Sequence, residues 1–383
     1  MKICVIGPTW PFRGGIAHYT TLLVKNLRER GHAVQFISYL KQYPKFLYPG
    51  NTAMDPSPES SVLRVECDRV LTPISLISWF KTFNMIRRNP PDLLLLQWWT
   101  PFWSPFLFFL TRMLRHFHKP SQQPLRTLFI CHHLIAPDGG IFDWFLARRI
   151  LKHGDGYIVM SEEDFALMRR ALPRAKIKGT TLPPFDIFSR EPMPRDQARA
   201  MLGLTHDEPV LLFFGFVRRY KGLKYLIEAL AIVCKTLPAK LLIVGEFWED
   251  ERPYHEQVQQ LGLQDAVQFY SGYVPNEKIG VYFSAADVVV MPYLEATQSG
   301  VAQLAVGFER PMIATSVGGM PDVVRDSETG LIVPPADSTA LAQAILKFYQ
   351  DKLAEPLTAN IRQSKQSASW MPLVQLVEEM GEP

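Results

Sequence analysis

A basic turn in the second half of the chain has residue types suited to binding phosphates. Residues 215–222 read GFVRRYKG and follow an apolar run typical of a buried β-strand. Arg218 and Lys221 could hold a diphosphate and stabilise the charge that develops on a leaving group. Gly215 and, after the next apolar run, Gly245 would let a ligand approach the backbone at strand ends, where ligands of α/β proteins bind. A solvated basic turn is the simpler alternative for any single cation.

Residues 292–305, PYLEATQSGVAQLA, form a second candidate segment. Glu295 follows a predicted strand and could face a sugar, whereas the Ser-Gly pair after it begins a predicted helix. Backbone N–H groups at a helix N-terminus bind anions, and an amide one turn inside the helix could bond ribose hydroxyls. The candidate donor-binding residues of this segment are Ser299, Gly300, Val301 and Gln303.

The N-terminal half offers a glycine pair, Gly14 and Gly15, directly before a predicted helix. Such a pair could admit a phosphate to the helix N-terminus, although an ordinary loop turn has the same sequence. Neither G-x-x-x-x-G-K-[ST] nor a G-x-G-x-x-G after the first strand is present, which excludes a P-loop and the dinucleotide fingerprint. No Asp-x-Asp motif or His/Cys cluster indicates a metal site.

An aromatic run, WWTPFWSPFLFFL at residues 98–110, is followed by a basic end. Trp98 and Trp99 could stack on acceptor sugars, and aromatic rings beside cations suit an anionic membrane surface. A buried helix with a basic end is the alternative. Two prolines interrupt the run, and it is shorter than the ~20 residues that span a bilayer. The basic end comprises Arg112, Arg115, His116, His118 and Lys119.

These motifs lie between apolar strands and helical segments that alternate along both halves of the chain. The strands are fully apolar, which predicts parallel sheets covered on both faces. A length of 383 residues is about twice that of one compact domain. The fold class is therefore predicted to be α/β, with two Rossmann-like doubly wound domains at 1–185 and 186–355 and a tail helix within 356–383. A proline-rich stretch at 179–200 is the predicted hinge, and the tail is expected to pack back toward the first domain.

The charge distribution indicates the kind of partner to expect, and the cysteine content indicates the compartment. Residues 1–190 carry a formal charge of +12 and residues 191–383 carry −8, which favours an anionic partner on the first half. No nucleic-acid recognition motif is present, so nucleic acid is not the expected partner. The four cysteines are widely spaced and no secretory signal begins the chain. A cytoplasmic location is expected, with association with the inner face of the cytoplasmic membrane as an extension.

Taken together, the motifs of the second half resemble glycosyltransferase family 4, a retaining family of GT-B fold. That family carries a G-(R)-x-x-x-x-K-G loop and an E-x7-E element. Lys221 matches the loop lysine, whereas Phe216 stands where arginine is usual and Arg218 is the substitute. Glu295 matches the first glutamate and Gln303 replaces the second, so a neutral amide would contact the ribose without a charge-assisted bond. A later GGMPD turn has Asp322 where the family has glutamate.

The resemblance extends to the N-terminal half, through the glycine pair and through His132, which ends a predicted strand beside His133. It implies an acceptor domain followed by a donor domain, a cleft between them, and a nucleotide diphosphate sugar as donor. It also implies catalysis without a metal or cofactor. Arg218 and Lys221 would stabilise the leaving diphosphate, Glu295 would position the donor sugar, and His132 would organise the reacting centre.

A saccharide or a lipid-linked molecule is the expected acceptor, in cell-envelope polysaccharide or glycolipid synthesis. Two other functions remain open from the sequence. One is an epimerase or phosphorylase of similar two-domain shape. The other is a catalytically inactive carbohydrate-binding or membrane-surface scaffold, which the replacement at Gln303 keeps open.

Overall fold

A computed structural model describes residues 1–44, 52–55, 63–115, 125–134, 141–189, 193–296, 298–367 and 369–382. The chain divides into two compact units. The first comprises Met1–Thr181 and Trp370–Pro383, and the second comprises Leu182–Ser369.

The first unit contains a seven-stranded parallel sheet with the order β3-β2-β1-β4-β5-β6-β7. Its strands are β1 (Lys2–Ile6), β2 (Ala33–Tyr39), β3 (Asp68–Leu71), β4 (Leu93–Trp98), β5 (Arg126–Cys131), β6 (Gly156–Val159) and β7 (Ile177–Gly179). Its first helices are α1 (Gly15–Glu29), α2 (Leu76–Arg88), α3 (Ser104–Arg115), α4 (Ile141–Leu151) and α5 (Glu162–Ala171). Every residue of the central strand β4 is buried, as its uninterrupted LLLLQW sequence predicts.

The second unit contains a six-stranded parallel sheet with the order β10-β9-β8-β11-β12-β13. Its strands are β8 (Val210–Phe214), β9 (Lys240–Gly245), β10 (Val267–Ser271), β11 (Val288–Met291), β12 (Met312–Thr315) and β13 (Gly330–Val333). Its helices are α6 (Arg195–Met201), α7 (Leu223–Val233), α8 (Arg252–Gln260), α9 (Ile279–Ala285), α10 (Gly300–Gly307), α11 (Met320–Val323), α12 (Ser338–Gln350) and α13 (Ala354–Ser367). The last helix of the chain, α14 (Met371–Gly381), belongs to the first unit.

The predicted fold class is confirmed: both units are α/β with parallel sheets in doubly wound order. The strands that the sequence did not reveal are β3, β7 and β13. Each is at the edge of its sheet and has three or four residues. Short edge strands such as DRVL and IKG carry charged residues, so they lack the continuous apolar pattern of the central strands.

The predicted boundary at residue 185 is wrong by a few residues, because the segment that follows Leu182 packs on the second unit. The backbone N–H of Phe185 donates to the carbonyl of Gln303 at 3.4 Å, and Phe185 itself is buried. A Cβ at Gly307 would lie 3.0 Å from the carbonyl oxygen of Phe185. Residues 190–192 of the predicted hinge lie outside the described residues.

The prediction of one tail helix within 356–383 also needs correction, because two helices occupy this region. Helix α13 belongs to the second unit, and Trp370 precedes α14 of the first. Ion pairs place α14 against the first unit's own elements: Glu378 accepts from Arg30 at 3.2 Å and lies 2.9 Å from the ring of His32. None of the described helices combines the length and the apolar composition of a membrane-spanning segment.

Candidate active site

The second unit brings two glycines into contact at the carboxyl edge of its sheet. Gly215 follows β8 with a φ of 101°, and Gly245 ends β9 with a φ of 151°. A Cβ added to Gly245 would lie 1.9 Å from the carbonyl oxygen of Gly215. Only glycine permits both this backbone conformation and this approach, so the two strand ends meet without a side chain between them.

Lys221 is held against the same strand end. Its Nζ lies 3.0 Å from the position that a Cβ on Gly215 would occupy and 5.1 Å from the ring centroid of Tyr293. The following residue, Gly222, has a φ of 66°, and a Cβ there would lie 1.9 Å from the carbonyl oxygen of Pro292. The left-handed glycine therefore lets the basic turn close against the end of β11, and this closure fixes the position of the lysine.

Burial makes Lys221 an unusual cation. Its side chain is 7% exposed, and burial lowers the pKa of the ammonium, with the nearby Arg218 guanidinium adding to the effect. A buried cation is costly unless an anion or a π-face compensates for its lost hydration. The ring of Tyr293 supplies part of that compensation. A bound diphosphate would supply more, which is why the site suits an anionic ligand.

The start of α10 lies beside this lysine. Ser299 is the N-cap of the helix, and its Oγ accepts the N–H of Ala302 at 3.3 Å. The Tyr293 hydroxyl lies 3.4 Å from that Oγ, and the Val301 Cγ2 lies 3.2 Å from the Cβ position of Gly215. The predicted residues Gly215, Gly245, Lys221, Ser299, Gly300 and Val301 are thus close together in one unit. Tyr293 is a further member that sequence reasoning missed.

Arg218 lies among aromatic rings. Its guanidinium carbon is 5.4 Å from the centroid of Tyr220 and 5.6 Å from that of Trp248. The ring of Phe216, the residue in place of the usual arginine, is tilted by 30° to that of Trp248, with centroids 4.3 Å apart. Cation–π attraction to the rings of Tyr220 and Trp248 favours this position of the guanidinium. Sequence reasoning missed Trp248, whose only signal was its position just after the glycine that ends β9.

Glu295 and Gln303 lie on either side of the start of α10. Glu295 is exposed, and its segment is fixed by the N–H of Leu294, which donates to the carbonyl of Tyr220 at 2.6 Å. Gln303 is only 4% exposed, so most of its side chain is inaccessible in this conformation. Its contact with a ribose therefore remains a prediction, as does the sugar-positioning role of Glu295.

His132 is buried at the carboxyl edge of the first unit's sheet. Its Nε2 lies 2.7 Å from Gln97 Oε1, and its ring meets Tyr19 edge-to-face at 4.7 Å. Burial lowers the pKa of His132 to about 3, so the ring is neutral at physiological pH. Burial also lowers the pKa of the neighbouring His133, to about 4. Because an amide oxygen can only accept, Nε2 must carry the proton and Nδ1 the lone pair.

The sequence analysis did not identify the residues that surround His132. The Gln97 Nε2 and the Tyr19 hydroxyl are buried, and neither has a hydrogen-bond partner among the described residues. Buried polar groups in that state commonly bind a ligand or water. Tyr19 also contacts Trp370, with ring centroids 5.3 Å apart. The only signal for Gln97 was a polar residue at the end of an apolar strand.

The glycine pair lies at the same edge. Gly14 is the N-cap of α1 with a φ of 101°, and Gly15 is the first residue of that helix. A Cβ at Gly14 would meet nothing within 4 Å, so this position needs glycine for its backbone conformation and not for space. His18, one turn into the helix, has its pKa lowered by burial to about 4.

The sugar-stacking role of Trp98 and Trp99 stays a prediction. Trp98 is 1% exposed and both rings lie in the hydrophobic core of the first unit, which favours the alternative of a buried segment. The alternative, a buried helix with a basic end, describes α3: its apolar side packs inward while Arg112 and Arg115 are exposed. Residues His116, His118 and Lys119 lie outside the described residues.

Within the described ranges, no three His, Cys, Asp or Glu side chains are grouped so that they could hold a metal ion.

The carboxylate whose pKa burial shifts most clearly is that of Asp164, which is raised to about 6. Its Oδ1 accepts the N–H of Leu134 at 3.1 Å, and its own N–H donates to the N-cap Ser161. The S-x-x-D sequence was a readable signal for this helix start.

Comparison with known proteins identifies the family of both halves of the chain. Two family models match in succession, a glycosyl transferase 4-like domain over residues 14–184 and the group 1 glycosyl transferases over residues 208–351. A D-inositol 3-phosphate glycosyltransferase of Corynebacterium aurimucosum is 32% identical over 162 residues, which are 41% of this chain and 38% of that protein. A homologue in Catenulispora acidiphila is 32% identical over 181 residues, covering 45% of this chain and 43% of the relative. The chain spans about two fifths of the length of these relatives.

Solved structures share the fold over nearly the whole chain. Sucrose-phosphate synthase from Thermosynechococcus elongatus superposes with a TM-score of 0.76 at 24% identity, covering 99% of this chain and 98% of that one. Anabaena HepE, solved in complex with UDP, superposes with a TM-score of 0.74 at 19% identity, covering 99% of both chains. These similarities establish the architecture, and the family models account for both halves of the sequence. The chain belongs to the GT-B glycosyltransferases of the family 4 type.

Proposed function

We propose that this protein is a retaining glycosyltransferase that moves a sugar from a nucleotide diphosphate sugar to a saccharide or lipid-linked acceptor. The observation that carries the proposal is the buried ammonium of Lys221, held between Gly215, Tyr293 and the start of α10. A buried cation beside a capped helix N-terminus and two touching glycines is an arrangement suited to a diphosphate.

In the proposed reaction, the bond between the anomeric carbon and the diphosphate oxygen breaks, and the electron pair leaves with the nucleoside diphosphate. Lys221, Arg218 and the N–H groups at the start of α10 stabilise the negative charge that develops there. The acceptor hydroxyl attacks from the face that the diphosphate leaves, which retains the anomeric configuration. Its proton passes to a phosphate oxygen of the leaving group, and Glu295 orients the sugar.

For the acceptor side we propose the cluster of His132, Gln97 and Tyr19. The neutral imidazole has a lone pair on Nδ1, and the buried Gln97 amide can donate, so the cluster can bind hydroxyl groups. The excess of basic residues in the first half supports an acceptor that carries phosphate or lies at an anionic membrane. This fits polysaccharide or glycolipid synthesis at the inner face of the cytoplasmic membrane.

Known structures support the donor class. HepE has been solved with UDP and with UDP-glucose, so a protein of this fold accommodates a nucleotide sugar. A thermal-shift panel of UDP, GDP, ADP and their sugars would identify the base, since a ligand that binds only the folded state raises the unfolding temperature. The absence of a shift with every nucleotide sugar would contradict the proposal.

Turnover separates the enzyme from its rivals. With donor labelled in the sugar, a transferase should form labelled product only when an acceptor is present, whereas an epimerase would convert the donor alone. An inactive scaffold, which the Gln303 replacement keeps open, would neither transfer nor slowly hydrolyse the donor. Catalysis is proposed to need no metal or cofactor, so activity should survive dialysis against EDTA. A loss that Mg²⁺ or Mn²⁺ restores would contradict that part of the proposal.

A further inference from the structure

The first unit exposes an apolar surface on α2 and on the turn that precedes it. Ile77 and Ile74 are 84% and 77% exposed, the two most exposed large apolar side chains among the described residues. Leu76 and Phe80 are exposed as well. Apolar side chains exposed singly are common, but a cluster within one helical turn indicates an interaction surface.

Basic residues continue this surface along the helix. Positions three, four, seven, ten and eleven residues after Ile77 share its face of an α-helix. We call this face the α2 stripe; it comprises Ile77, Phe80, Lys81, Asn84, Arg87 and Arg88. The opposite face packs inward, with Trp79, Thr82 and Ile86 buried. The exposed face is therefore apolar at its start and cationic at its end.

Acidic residues are missing from the neighbourhood of the α2 stripe in sequence. Between Arg69 and Arg115 the only one is Asp92. The Asp92 carboxylate accepts the backbone N–H of Lys2 at 2.9 Å, at the amino ends of β1 and β4, and is engaged there. The neighbouring helix α3 also lacks carboxylates, and Phe109 on it contacts Phe80 with ring centroids 4.9 Å apart.

We propose that the α2 stripe docks on an anionic membrane surface. A helix with an apolar face rimmed by Lys and Arg lies in the headgroup region of a bilayer, where the stems of the basic side chains contact apolar chains and their charges meet anionic lipids. A second copy of this chain is a poorer occupant. A two-fold contact through this stripe would bury Lys81, Arg87 and Arg88 in an interface where the stripe offers no acidic partner.

The position of the α2 stripe in the fold determines which parts of the first unit would lie near the membrane. Helix α2 follows β3, so its apolar first turn lies at the carboxyl edge of the sheet, the edge that also holds Gly14 and His132. Arg112 and Arg115 end α3 and so lie toward the opposite, amino edge. Docking along the length of α2 would bring its apolar first turn, at the edge that holds His132, to the lipid surface together with its basic end, which lies toward the amino edge. The link to a lipid-borne acceptor rests on the proposed function, whereas the docking itself does not.

Flotation with vesicles tests the docking. The full chain should float with phosphatidylcholine vesicles that contain phosphatidylglycerol and not with phosphatidylcholine alone, and the bound fraction should fall as salt rises. The double variant Ile74→Asp/Ile77→Asp should lose at least about tenfold in vesicle affinity. Both side chains are exposed, so thermal unfolding of this variant should match the unsubstituted chain.

A matched control carries the same change in charge elsewhere. Met201 and Leu261 are exposed apolar residues of the second unit, and Met201→Asp/Leu261→Asp should float like the unsubstituted chain. We call Ile74→Asp/Ile77→Asp the α2 variant. Equal flotation by the α2 variant and this control would overturn the proposal. So would failure of the unsubstituted chain to bind anionic vesicles, or a dimer in analytical ultracentrifugation that the α2 variant dissociates.

A lipid-free assay separates this proposal from the proposed function. Thermal shifts with nucleotide sugars should be the same for the α2 variant and the unsubstituted chain, because the stripe belongs to the first unit and the donor residues belong to the second. If no nucleotide sugar shifts either protein, the proposed function fails while flotation still decides the docking. If the α2 variant alone loses its shift, the stripe has a structural role and the docking proposal is overturned.

Discussion

The Nε2 atom of His132 lies 2.7 Å from Oε1 of Gln97, and both side chains are buried. Gln97 is the penultimate residue of β4, and His132 directly follows β5, the strand that pairs with it. The contact therefore results from parallel register: two strands that end at the same edge present one polar side chain each. The amide fixes the imidazole tautomer, leaving Nδ1 as the hydrogen-bond acceptor.

Gln97→Leu should remove this control of the tautomer. We expect ¹⁵N spectra of the unsubstituted protein to show His132 protonated at Nε2, and the variant to show a mixture of tautomers. A buried ring nitrogen left without its partner costs about 1–3 kcal/mol of stability. If His132 serves the acceptor side, kcat should fall while donor affinity stays constant. A proton found on Nδ1 in the unsubstituted protein would contradict the assignment.

Buried histidines predict the direction of the pH dependence of stability. The pKa of His132 is lowered from 6.5 to about 3, and those of His18 and His133 to about 4. Between pH 6.5 and the folded pKa, the unfolded chain binds protons that the folded chain does not, so stability falls as pH falls. Asp164, raised to about 6, acts in the opposite direction between about 6 and 3.8.

For a single buried histidine this effect reaches about 2 kcal/mol at pH 5. Thermal unfolding should therefore occur at lower temperature at pH 5 than at pH 7, and His132→Gln should make the dependence shallower. Equal slopes in the unsubstituted protein and His132→Gln would show that His132 is not neutral through burial.

Because the two strand-end glycines are in contact, we expect a side chain at either position to lower the free energy of unfolding. Gly245→Ala would place a methyl group 1.9 Å from the carbonyl oxygen of Gly215, so the backbone must move, at a cost of about 3 kcal/mol. Gly262→Ala is the control: Gly262 also has a positive φ, 67°, but nothing lies within 4 Å, so only about 1 kcal/mol is expected. Urea unfolding compares them. Similar losses would mean that close approach is not what requires glycine at 245.

Gln303 tests whether the replaced glutamate position still serves the donor. If its amide contacts the ribose, Gln303→Glu should keep or modestly strengthen donor binding, and Gln303→Leu should weaken it by about 1 kcal/mol or more. Calorimetric titration with the nucleoside diphosphate measures both. An unchanged affinity in the leucine variant would assign Gln303 to the helix core, in agreement with its low exposure.

The sequence predicted best what depends on long apolar runs. Strands β8 and β11 lie where the apolar runs before Gly215 and Glu295 predict them, and Ser299 and Gly300 form the N-cap and first residue of α10. The burial of Trp98 could not be read from the sequence, because an aromatic residue at a strand end has the same local pattern whether it faces a ligand or the core. Gln97 and Trp248 could not be found, because each gains its meaning from a residue distant in sequence, His132 and Arg218 respectively.

The α2 stripe was missed for a related reason. Helices α2 and α3 are both apolar and basic in composition, and only tertiary packing shows which apolar residues are covered. The stronger apolar signal belonged to α3, whose Phe106 and Leu110 are in the core, whereas the apolar residue Ile77 of α2 is exposed. Composition therefore drew attention to α3, although the exposed apolar residues are on α2.

The most direct test measures the rate at which nucleoside diphosphate is released from a nucleotide sugar. It compares this rate between the Lys221→Ala and Lys224→Ala variants. Lys224 is exposed one turn away on α7 and is the matched control for losing a positive charge. We expect Lys221→Ala to lose about 2–4 kcal/mol of transition-state stabilisation, a fall in rate of about 10²–10³, and Lys224→Ala to remain near the unsubstituted rate. A folded Lys221→Ala protein that turns over as fast as Lys224→Ala would contradict the assignment of this buried cation to the leaving diphosphate.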